Sequence, residues 1–428
     1  MDYNATTNLV FQTIAIDLTP ILPGGENGGA KVFVLELIRG LSRIAPQAEF
    51  ILLTQAASHE ELANLDGKNV RRMMVAGQQD LVDGQAFARR LNLNRVYRLF
   101  TFVKRRLIQG ACKVCRVFKY EDGRHVLLKV GVDLLFCPFT APTFFEQGIP
   151  TVCTIYDLQF ATYPQFFEPE DVAHRKNAFL NACQKATLLV AISDYSRGSA
   201  VAYGKLAPKQ IKTIALRMAQ RMQPVKSEVT HILDRIGVSP QRYLLYPANF
   251  WQHKNHEILL TAFQLACIQG LPQDIKLVCT GAPSSRKAFI QTVAEAFDLG
   301  HRIVFPGYLS NTELSTVLND ACGLVFPSLY EGFGLPVIEA MAAGVPVACS
   351  NVTSLPEVAG NAALFFDPKE PDDIAHALID LVNDRALRHQ LIENGHRQAK
   401  LYSDTERMVS EYWGVFESIL RENGAQKP

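Results

Sequence analysis

The stretch YEGFGLPVIEAMAAGVPV, residues 330–347, predicts a glycine turn followed by the start of a helix. The apolar run 324–326 just before it is typical of a buried strand, and Pro336 suits the first turn of a helix that follows Gly334. The glycines allow close backbone approach, so the amides of residues 333–335 are expected to point outward at the helix N-terminus. Free N–H groups in that position form a ready site for phosphate.

Two glutamates flank this turn at an interval of eight positions. Glu339, one turn into the helix, can accept the two hydroxyls of a vicinal diol such as ribose, while Glu331 on the incoming loop lies nearer the reacting end of a ligand. Two carboxylates would repel a pyrophosphate unless a cation intervenes. Lys254, just past the strand 243–246, can supply a compact positive charge. The alternatives are two solvated glutamates and an exposed lysine at the start of a helix.

The composition is that of a soluble globular protein with two domains. The chain has 428 residues, 48% of them hydrophobic and 20% charged, and a net charge of +1, which gives no argument for a nucleic-acid partner. Its nine cysteines are scattered through apolar segments, as in reduced cytoplasmic proteins, and Cys112 and Cys115 have no second pair at zinc spacing. Neither a signal peptide nor a bilayer-spanning run is expected. We therefore expect a cytoplasmic protein.

Short apolar runs alternate with helix-length amphipathic segments, which predicts an α/β fold of two Rossmann-like, doubly wound domains facing a central cleft. The ten predicted strands are 13–17, 49–53, 133–136, 150–155, 187–192, 243–246, 276–280, 302–305, 323–326 and 345–348. Residues 204–241 lack a sustained hydrophobic period and are interpreted as the linker between the two domains. The predicted domains are 1–215 and 216–405. The last segment, 406–428, is expected to form a helix that packs back on the first domain.

The charge balance is broken in one segment, 86–119, which carries ten Lys or Arg and no acidic residue. A basic amphipathic helix of this kind can lie on anionic lipid, and this predicts a peripheral contact with the inner membrane face. The alternative is a solvated helix face with acidic partners elsewhere in the domain.

The stretch 330–347 closely resembles family 4 glycosyltransferases, also called group 1. SLPEVAG (354–360), PGYLSNTEL (306–314) and HKNHEILLTAF (253–263) extend the resemblance across the second domain. The first domain matches more loosely, through GGAKVFVLEL (28–37), TIYDLQFATYP (154–164) and AISDYSR (191–197). The resemblance implies the GT-B fold and a retaining enzyme that uses a nucleotide-sugar and an E-x7-E motif.

The resemblance also implies roles for individual residues. Glu339 would hold the ribose diol, Glu331 would contact the transferred sugar, and Lys254 would stabilise the pyrophosphate leaving group. The remaining donor-binding positions are the backbone amides of Phe333, Gly334 and Leu335, the backbone of Tyr308 at the base pocket, and Gly29 facing the pyrophosphate from the other domain.

Three positions depart from the family pattern. Asn249 stands where many relatives have an arginine, so a cation is missing or supplied elsewhere, with His253 as a candidate. Tyr156-Asp157 replaces His-Asp; the tyrosine can still donate a hydrogen bond to the sugar, and the aspartate either orients the acceptor or caps a strand end. Lys31 replaces a small residue in the glycine loop.

The sequence predicts catalysis without cofactor or metal, because the chain has no Asp-x-Asp to bridge a diphosphate through a cation. The favoured donor is UDP-glucose and the second is GDP-mannose. The acceptor is expected to be a glycan or a lipid-linked glycan in exopolysaccharide or cell-envelope synthesis. Three alternatives are a sugar-nucleotide epimerase, a non-catalytic binder of nucleotide-sugars and a dinucleotide-dependent oxidoreductase. The last fits poorly because residues 24–29 do not match G-x-G-x-x-G in register.

Overall fold

The computed structural model describes residues 12–24, 27–77, 125–221 and 231–424, and these residues form two parallel sheets with helices on both faces. The first sheet has seven strands in the order β3-β2-β1-β4-β5-β6-β7, and we call the part of the protein built on it the first lobe. Its strands are β1 (Thr13–Asp17), β2 (Glu49–Gln55), β3 (Val70–Ala76), β4 (Leu134–Cys137), β5 (Thr151–Ile155), β6 (Leu188–Ala191) and β7 (Ile211–Thr213).

The helices of the first lobe connect these parallel strands. Two of them begin at residues that favour a helix start: Ser193 accepts a hydrogen bond from the amide of Ser196, and Pro169 occupies a first-turn position. The helices are α1 (Gly28–Ile44), α2 (Ala56–His59), α3 (Val126–Val130), α4 (Gln159–Thr162), α5 (Pro169–Lys185) and α6 (Asp194–Gly204).

The second lobe is built on a six-stranded sheet in the order β10-β9-β8-β11-β12-β13. Its strands are β8 (Tyr243–Pro247), β9 (Lys276–Thr280), β10 (Ile303–Gly307), β11 (Gly323–Phe326), β12 (Val347–Ser350) and β13 (Ala363–Phe366). Its helices are α7 (Ile232–Ile236), α8 (His256–Gln269), α9 (Ser285–Ala296), α10 (Asn311–Asn319), α11 (Leu335–Ala342), α12 (Leu355–Ala359), α13 (Pro371–Asn383) and α14 (Arg385–Lys400).

The final helix, α15 (Thr405–Gly424), packs against the first lobe although it follows the second lobe in the chain. Phe416 and Tyr412 lie 5.2 Å and 5.8 Å from the ring of Phe136 on β4, and a Cβ on Gly40 of α1 would overlap the side chain of Val409. This helix therefore adds a second connection between the lobes besides the linker.

Strand order changes direction between β1 and β4 in the first sheet and between β8 and β11 in the second. At such switch points the loops leaving neighbouring strands diverge and open a crevice at the carboxyl edge of the sheet, where ligands bind in α/β folds. Residues that follow β8 and β11 are therefore placed side by side, as the sequence predicts for Lys254 and Glu331.

The predicted fold class is confirmed, and all ten predicted strands are present within a few residues of their predicted bounds. Of the seven cysteines in the described ranges none forms a disulfide, and five are buried. The basic segment 86–119 and the pair Cys112 and Cys115 lie outside the described residues, so the predictions made for them are not addressed. Within the described ranges every helix is too short or too polar to cross a bilayer.

Candidate active site

The turn between β11 and α11 presents uncapped amides to the space between the lobes. Gly334 has φ of 98° and precedes the helix, and no side chain caps it. A Cβ on Gly334 would lie 2.6 Å from Leu355 Cδ2, so both the backbone angle and the packing require glycine. The N-terminus of α11 is thus open to an anionic group. Beside it, Phe333 is buried, with its ring 5.4 Å from that of Tyr402.

Lys254 and Glu331 form an ion pair at the carboxyl edge of the second sheet. Lys254 Nζ lies 2.5 Å from Glu331 Oε1, and both side chains are only 12% exposed. The ammonium also lies 5.3 Å from the centre of the Phe326 ring at the end of β11. The cation predicted to balance the carboxylates is therefore in direct contact with one of them.

The loops around this pair hold it in place through backbone contacts. The amide of Glu331 donates to Thr353 Oγ1 at 3.1 Å, and its carbonyl accepts a hydrogen bond from Ser354 Oγ at 3.0 Å. On the other side Tyr246 donates its hydroxyl hydrogen to the carbonyl of Lys254 at 2.5 Å. Rigid loops keep both charged groups near one position before a ligand arrives, which lowers the entropic cost of binding.

Glu339 is nearly fully buried and is paired with a residue that sequence reasoning missed. Arg221 Nε and Nη2 lie 2.8 Å and 2.6 Å from Glu339 Oε1. Burial raises the pKa of the Glu339 carboxyl above its ordinary value, and the charge and hydrogen bond of Arg221 act in the opposite direction. Arg221 belongs to the linker, whose sequence lacks a period, so no sequence pattern indicated it.

Asn249 and His253 do not replace the missing arginine of the family pattern. Asn249 Oδ1 accepts a hydrogen bond from the amide of Ala282 at 2.9 Å and so ties the loop after β8 to the loop after β9. Burial, followed by the charge of Lys254, lowers the pKa of His253 to about 2, so this imidazole is neutral at physiological pH. The prediction that His253 could supply a cation is therefore wrong.

The first lobe contributes Asp157 and Tyr156 just after β5. Asp157 Oδ1 accepts a hydrogen bond from the amide of Gln159 at 3.0 Å, which is a capping contact. Burial raises the pKa of Asp157, and the Gln159 amide and the charge of Arg175 lower it. Glu331 raises it and Lys254 lowers it, so both groups of the second-lobe ion pair lie within electrostatic reach of Asp157.

Tyr156 contacts its surroundings in two ways. Its ring lies 6.2 Å from Phe33 and 6.4 Å from Phe139, and its buried hydroxyl has no hydrogen-bond partner among the described residues. Its carbonyl, by contrast, accepts a hydrogen bond from Ser196 Oγ at 2.7 Å beside the second lobe. The hydrogen bond to the sugar that the sequence predicts for Tyr156 stays a prediction.

Gly29, Tyr308 and Lys31 lie at the margins of the cleft. Gly29 is in the first turn of α1, and a Cβ there would lie 3.2 Å from Leu335 Cδ1, so it faces the N-terminus of α11 across the cleft. Tyr308 follows Gly307 at the end of β10 and is 65% exposed. Lys31 is buried, and its ammonium bonds the carbonyls of Leu22 and Gly24 together with Glu61. Lys31 thus holds the loop between β1 and α1 together.

These features were compared with known proteins. A sequence model of the family described as Glycosyl transferases group 1 matches residues 234–398, which span the second lobe from α7 into α14. The chain is 31% identical over 257 residues to O-antigen chain mannosyltransferase B of Escherichia coli, covering 59% of this chain and 66% of that protein. It is also 31% identical over 256 residues to O-antigen chain mannosyltransferase RfbU of Salmonella typhimurium, again covering 59% and 66%. Both matches therefore span just under two thirds of these relatives.

The fold extends the similarity to the whole chain. Sucrose-phosphate synthase from Thermosynechococcus elongatus superimposes with a TM-score of 0.70 at 19% identity, covering 96% of this chain and 100% of that one. Residues 234–398 thus match the group 1 glycosyltransferase family, and the chain has the GT-B fold. The two glutamates of the E-x7-E motif and Lys254 line the second-lobe side of the cleft.

The two lobes touch directly at the cleft. Ser193 Oγ donates to the carbonyl of Gly332 at 2.7 Å, and the Glu357 carboxylate accepts hydrogen bonds from the amides of Asp194 and Tyr195 at 2.8 Å and 2.9 Å. A carboxylate at a helix N-terminus is favourable because it meets free N–H groups and the positive end of the helix dipole. The arrangement is therefore a closed one, with α6 of the first lobe bonded to the second.

Sequence reasoning assigned no role to Ser193, Gly332 or Glu357, although all three lie in motifs that carry the family resemblance. Their partners are more than 130 positions away in the chain. Because the partners are so far apart in the chain, only a sequence pattern that relates distant positions could have identified these three residues.

Proposed function

We propose that this protein transfers a hexose, with retention of anomeric configuration, from a nucleotide-sugar to a glycan or lipid-linked acceptor. The observation that carries the proposal is the convergence of Lys254, Glu331 and buried Glu339 around the open N-terminus of α11 at a cleft between two lobes. A diphosphate nucleotide has a ribose diol at one end, two phosphates in the middle and a sugar at the other, and this constellation offers a suitable group for each.

Each group acts on a different part of the donor. Glu339 accepts hydrogen bonds from the ribose hydroxyls. The α11 amides and Lys254 stabilise the negative charge on the phosphates. Glu331 accepts hydrogen bonds from hydroxyls of the transferred sugar once Lys254 is drawn towards the diphosphate. The ion pair of the free protein thus exchanges for two contacts to the donor, and neither charge is left unpaired in a poorly solvated site.

The transfer step uses the leaving group itself as the base. The bond between the sugar C1 and the β-phosphate oxygen breaks, and the acceptor oxygen bonds to C1 on the same face. The acceptor hydroxyl proton passes to the departing phosphate. The protein supplies preorganised positive charge and amide dipoles where negative charge develops. Asp157 orients the acceptor from the first-lobe side.

The donor we propose is GDP-mannose, in polysaccharide assembly. The two relatives described above are both named O-antigen chain mannosyltransferases, and this favours mannose over the glucose that the sequence alone suggested. UDP-glucose stays a prediction to be tested beside it. The decisive assay incubates the protein with each donor and an extracted lipid-linked glycan, and transfer from neither donor would contradict the proposal.

Replacing Glu339 with glutamine is expected to abolish the preference of the protein for a nucleotide with a ribose diol over the matching dideoxy nucleotide. A charge-assisted hydrogen bond is worth about 1.5–3 kcal/mol, so GDP should bind the variant about tenfold or more weakly. Binding of 2′,3′-dideoxy-GDP should change little, because it has no diol to lose. Thermal shift against nucleotide concentration measures both affinities.

The matched control for this variant is Glu313→Gln, on the same lobe and paired with Arg235. Glutamine keeps the capping contact of Glu313 with Ser310, so this control should bind both nucleotides as the wild type does. An unchanged preference for GDP in Glu339→Gln would remove Glu339 from the ribose site.

Activity is expected to persist after removal of divalent metal. The charge on the leaving diphosphate is met by Lys254 and the α11 amides, so no bridging cation is required. Initial rates should stay within about twofold of untreated enzyme after dialysis against EDTA and in EDTA-containing buffer. Loss of turnover that Mg²⁺ or Mn²⁺ restores would contradict the metal-independent mechanism.

A further inference from the structure

Arg221 lies at the cleft but takes no part in the proposed reaction as described above. Besides its two contacts with Glu339 Oε1, its Nη1 lies 3.4 Å from Asn311 Oδ1 at the start of α10. The guanidinium therefore bridges α11 to the helix that follows Tyr308. These are the two elements assigned above to the ribose and the base. The other oxygen of Glu339, Oε2, has no hydrogen-bond partner among the described residues.

The backbone that carries Arg221 is held by the crossing between α14 and α15. Ala219 donates its amide hydrogen to the carbonyl of Tyr402 at 3.0 Å, and the carbonyl of Arg217 accepts from Thr405 Oγ1 at 2.7 Å. The amide of Arg221 closes a turn on the carbonyl of Met218 at 3.1 Å. The guanidinium is thus presented from a fixed segment, which is what preorganisation of a binding site requires.

We propose that Arg221 is a positioning residue for nucleoside recognition: it holds Glu339 through one carboxylate oxygen and leaves the other for the ribose diol. The inference rests on the proposed role of Glu339. Two guanidinium nitrogens on the same oxygen fix the direction of the carboxylate and balance its charge, which a lysine ammonium does less well because it is a single rotatable point charge.

Arg221 is the charged group that acts on Glu339 among the described residues. Helix α14 packs against α11: its buried residues are Leu391, Gly395 and Ala399, and a Cβ on Gly395 would lie 3.3 Å from Met341 Cγ of α11. The remaining ionisable groups nearby face elsewhere: Glu331 is paired with Lys254, Glu357 accepts the amides that begin α6, and His396 lies against Gly344 at the far end of α11.

Loss of Arg221 should therefore raise the pKa of Glu339 further and move its titration to higher pH. Burial already raises the pKa of this carboxyl, and removing the opposing arginine raises it further. Below the raised pKa the carboxyl is protonated and offers fewer acceptors to the two ribose hydroxyls. Above it the carboxylate is restored, so raising the pH should rescue ribose binding.

The experiment measures binding of GDP and 2′,3′-dideoxy-GDP, with UDP and its dideoxy form in parallel, from pH 6.5 to 9. The proteins are the full-length wild type, Arg221→Gln, Arg221→Lys and the control Arg235→Gln, whose arginine pairs with Glu313 on the same lobe. At pH 6.5 Arg221→Gln should lose about tenfold in affinity for the ribose nucleotide, and it should recover most of that loss at pH 9. Arg221→Lys should keep the flat profile of the wild type.

Binding of the dideoxy nucleotide reports whether each variant is folded, because it does not use the diol. If the wild type prefers the ribose nucleotide and Arg221→Gln keeps that preference at every pH, Arg221 has no positioning role while the proposed function stands. Tighter binding by Arg221→Gln overturns the inference too, because it would mean that Arg221 competes with ribose. If the wild type itself shows no preference for ribose, the assignment of Glu339 fails and the inference fails with it.

Discussion

Replacing Lys254 with methionine is expected to lower kcat by about 10²- to 10³-fold, the usual cost of removing one preorganised group that stabilises charge in a transition state. Methionine keeps an unbranched chain of similar length but removes the ammonium that lies 2.5 Å from Glu331. The leaving diphosphate then develops charge beside an unpaired carboxylate. Steady-state kinetics with saturating donor and acceptor measure the effect.

Two variants make the Lys254 result interpretable. Lys276→Met removes a lysine of the same lobe that donates to the carbonyl of Gly237, and it should leave kcat unchanged. In Lys254→Met/Glu331→Gln no carboxylate remains unpaired, yet kcat should stay low, because the leaving group still lacks its cation. Recovery of kcat in the double variant, or a loss below threefold in Lys254→Met, would show that Lys254 only neutralises Glu331.

Replacing Gly332 with alanine is expected to prevent the lobes from closing. The added Cβ would lie 2.2 Å from the carbonyl oxygen of Tyr156 and 3.2 Å from Asp157 Cβ, and the first of these contacts is with backbone, so one lobe must shift. A displacement of about 1 Å at the reacting groups can cost 10²-fold in rate. We expect kcat/KM to fall at least that far.

Nucleotide binding separates this effect from unfolding. In the proposed mode the charged contacts to GDP all come from the second lobe, and the first lobe adds only the backbone at Gly29, so the affinity of Gly332→Ala for GDP should stay within a few fold of the wild type. Small-angle X-ray scattering should give a larger radius of gyration. Gly198→Ala is the control, because its Cβ on α6 meets nothing within 4 Å. Full transfer activity in Gly332→Ala would mean that the closed arrangement is not the one that reacts.

The strands that sequence analysis did not predict share one property. β3, β7 and β13 each lie at the edge of a sheet. Strands buried on both faces in the middle of a parallel sheet are near-continuous apolar runs, and these are easy to detect. In β3 the polar residues Arg71 and Arg72 interrupt the apolar run, so the local pattern of this edge strand is weak.

The residues of the candidate site likewise include some that the sequence predicts and some that it does not. Lys254, Glu331 and the α11 turn follow directly from strands β8 and β11, so knowing that these strands are parallel neighbours is enough to bring the residues together. Arg221 is different, because its position beside Glu339 depends on how residues 217–221 pack against the crossing from α14 to α15. Nothing within the linker sequence indicates that packing.

Local pattern was sufficient for the α/β class, the two sheets and the loops that bear the proposed phosphate-binding groups, because hydrophobic period and glycine–proline placement act over fewer than about twenty residues. The partner of Glu339, the bridging role of Asn249 and the bonds from Ser193 to Gly332 could be learned only from the folded chain. Each depends on side chains that meet across large separations in sequence, where the deciding factors are packing and charge compensation in a poorly solvated cleft rather than any local propensity.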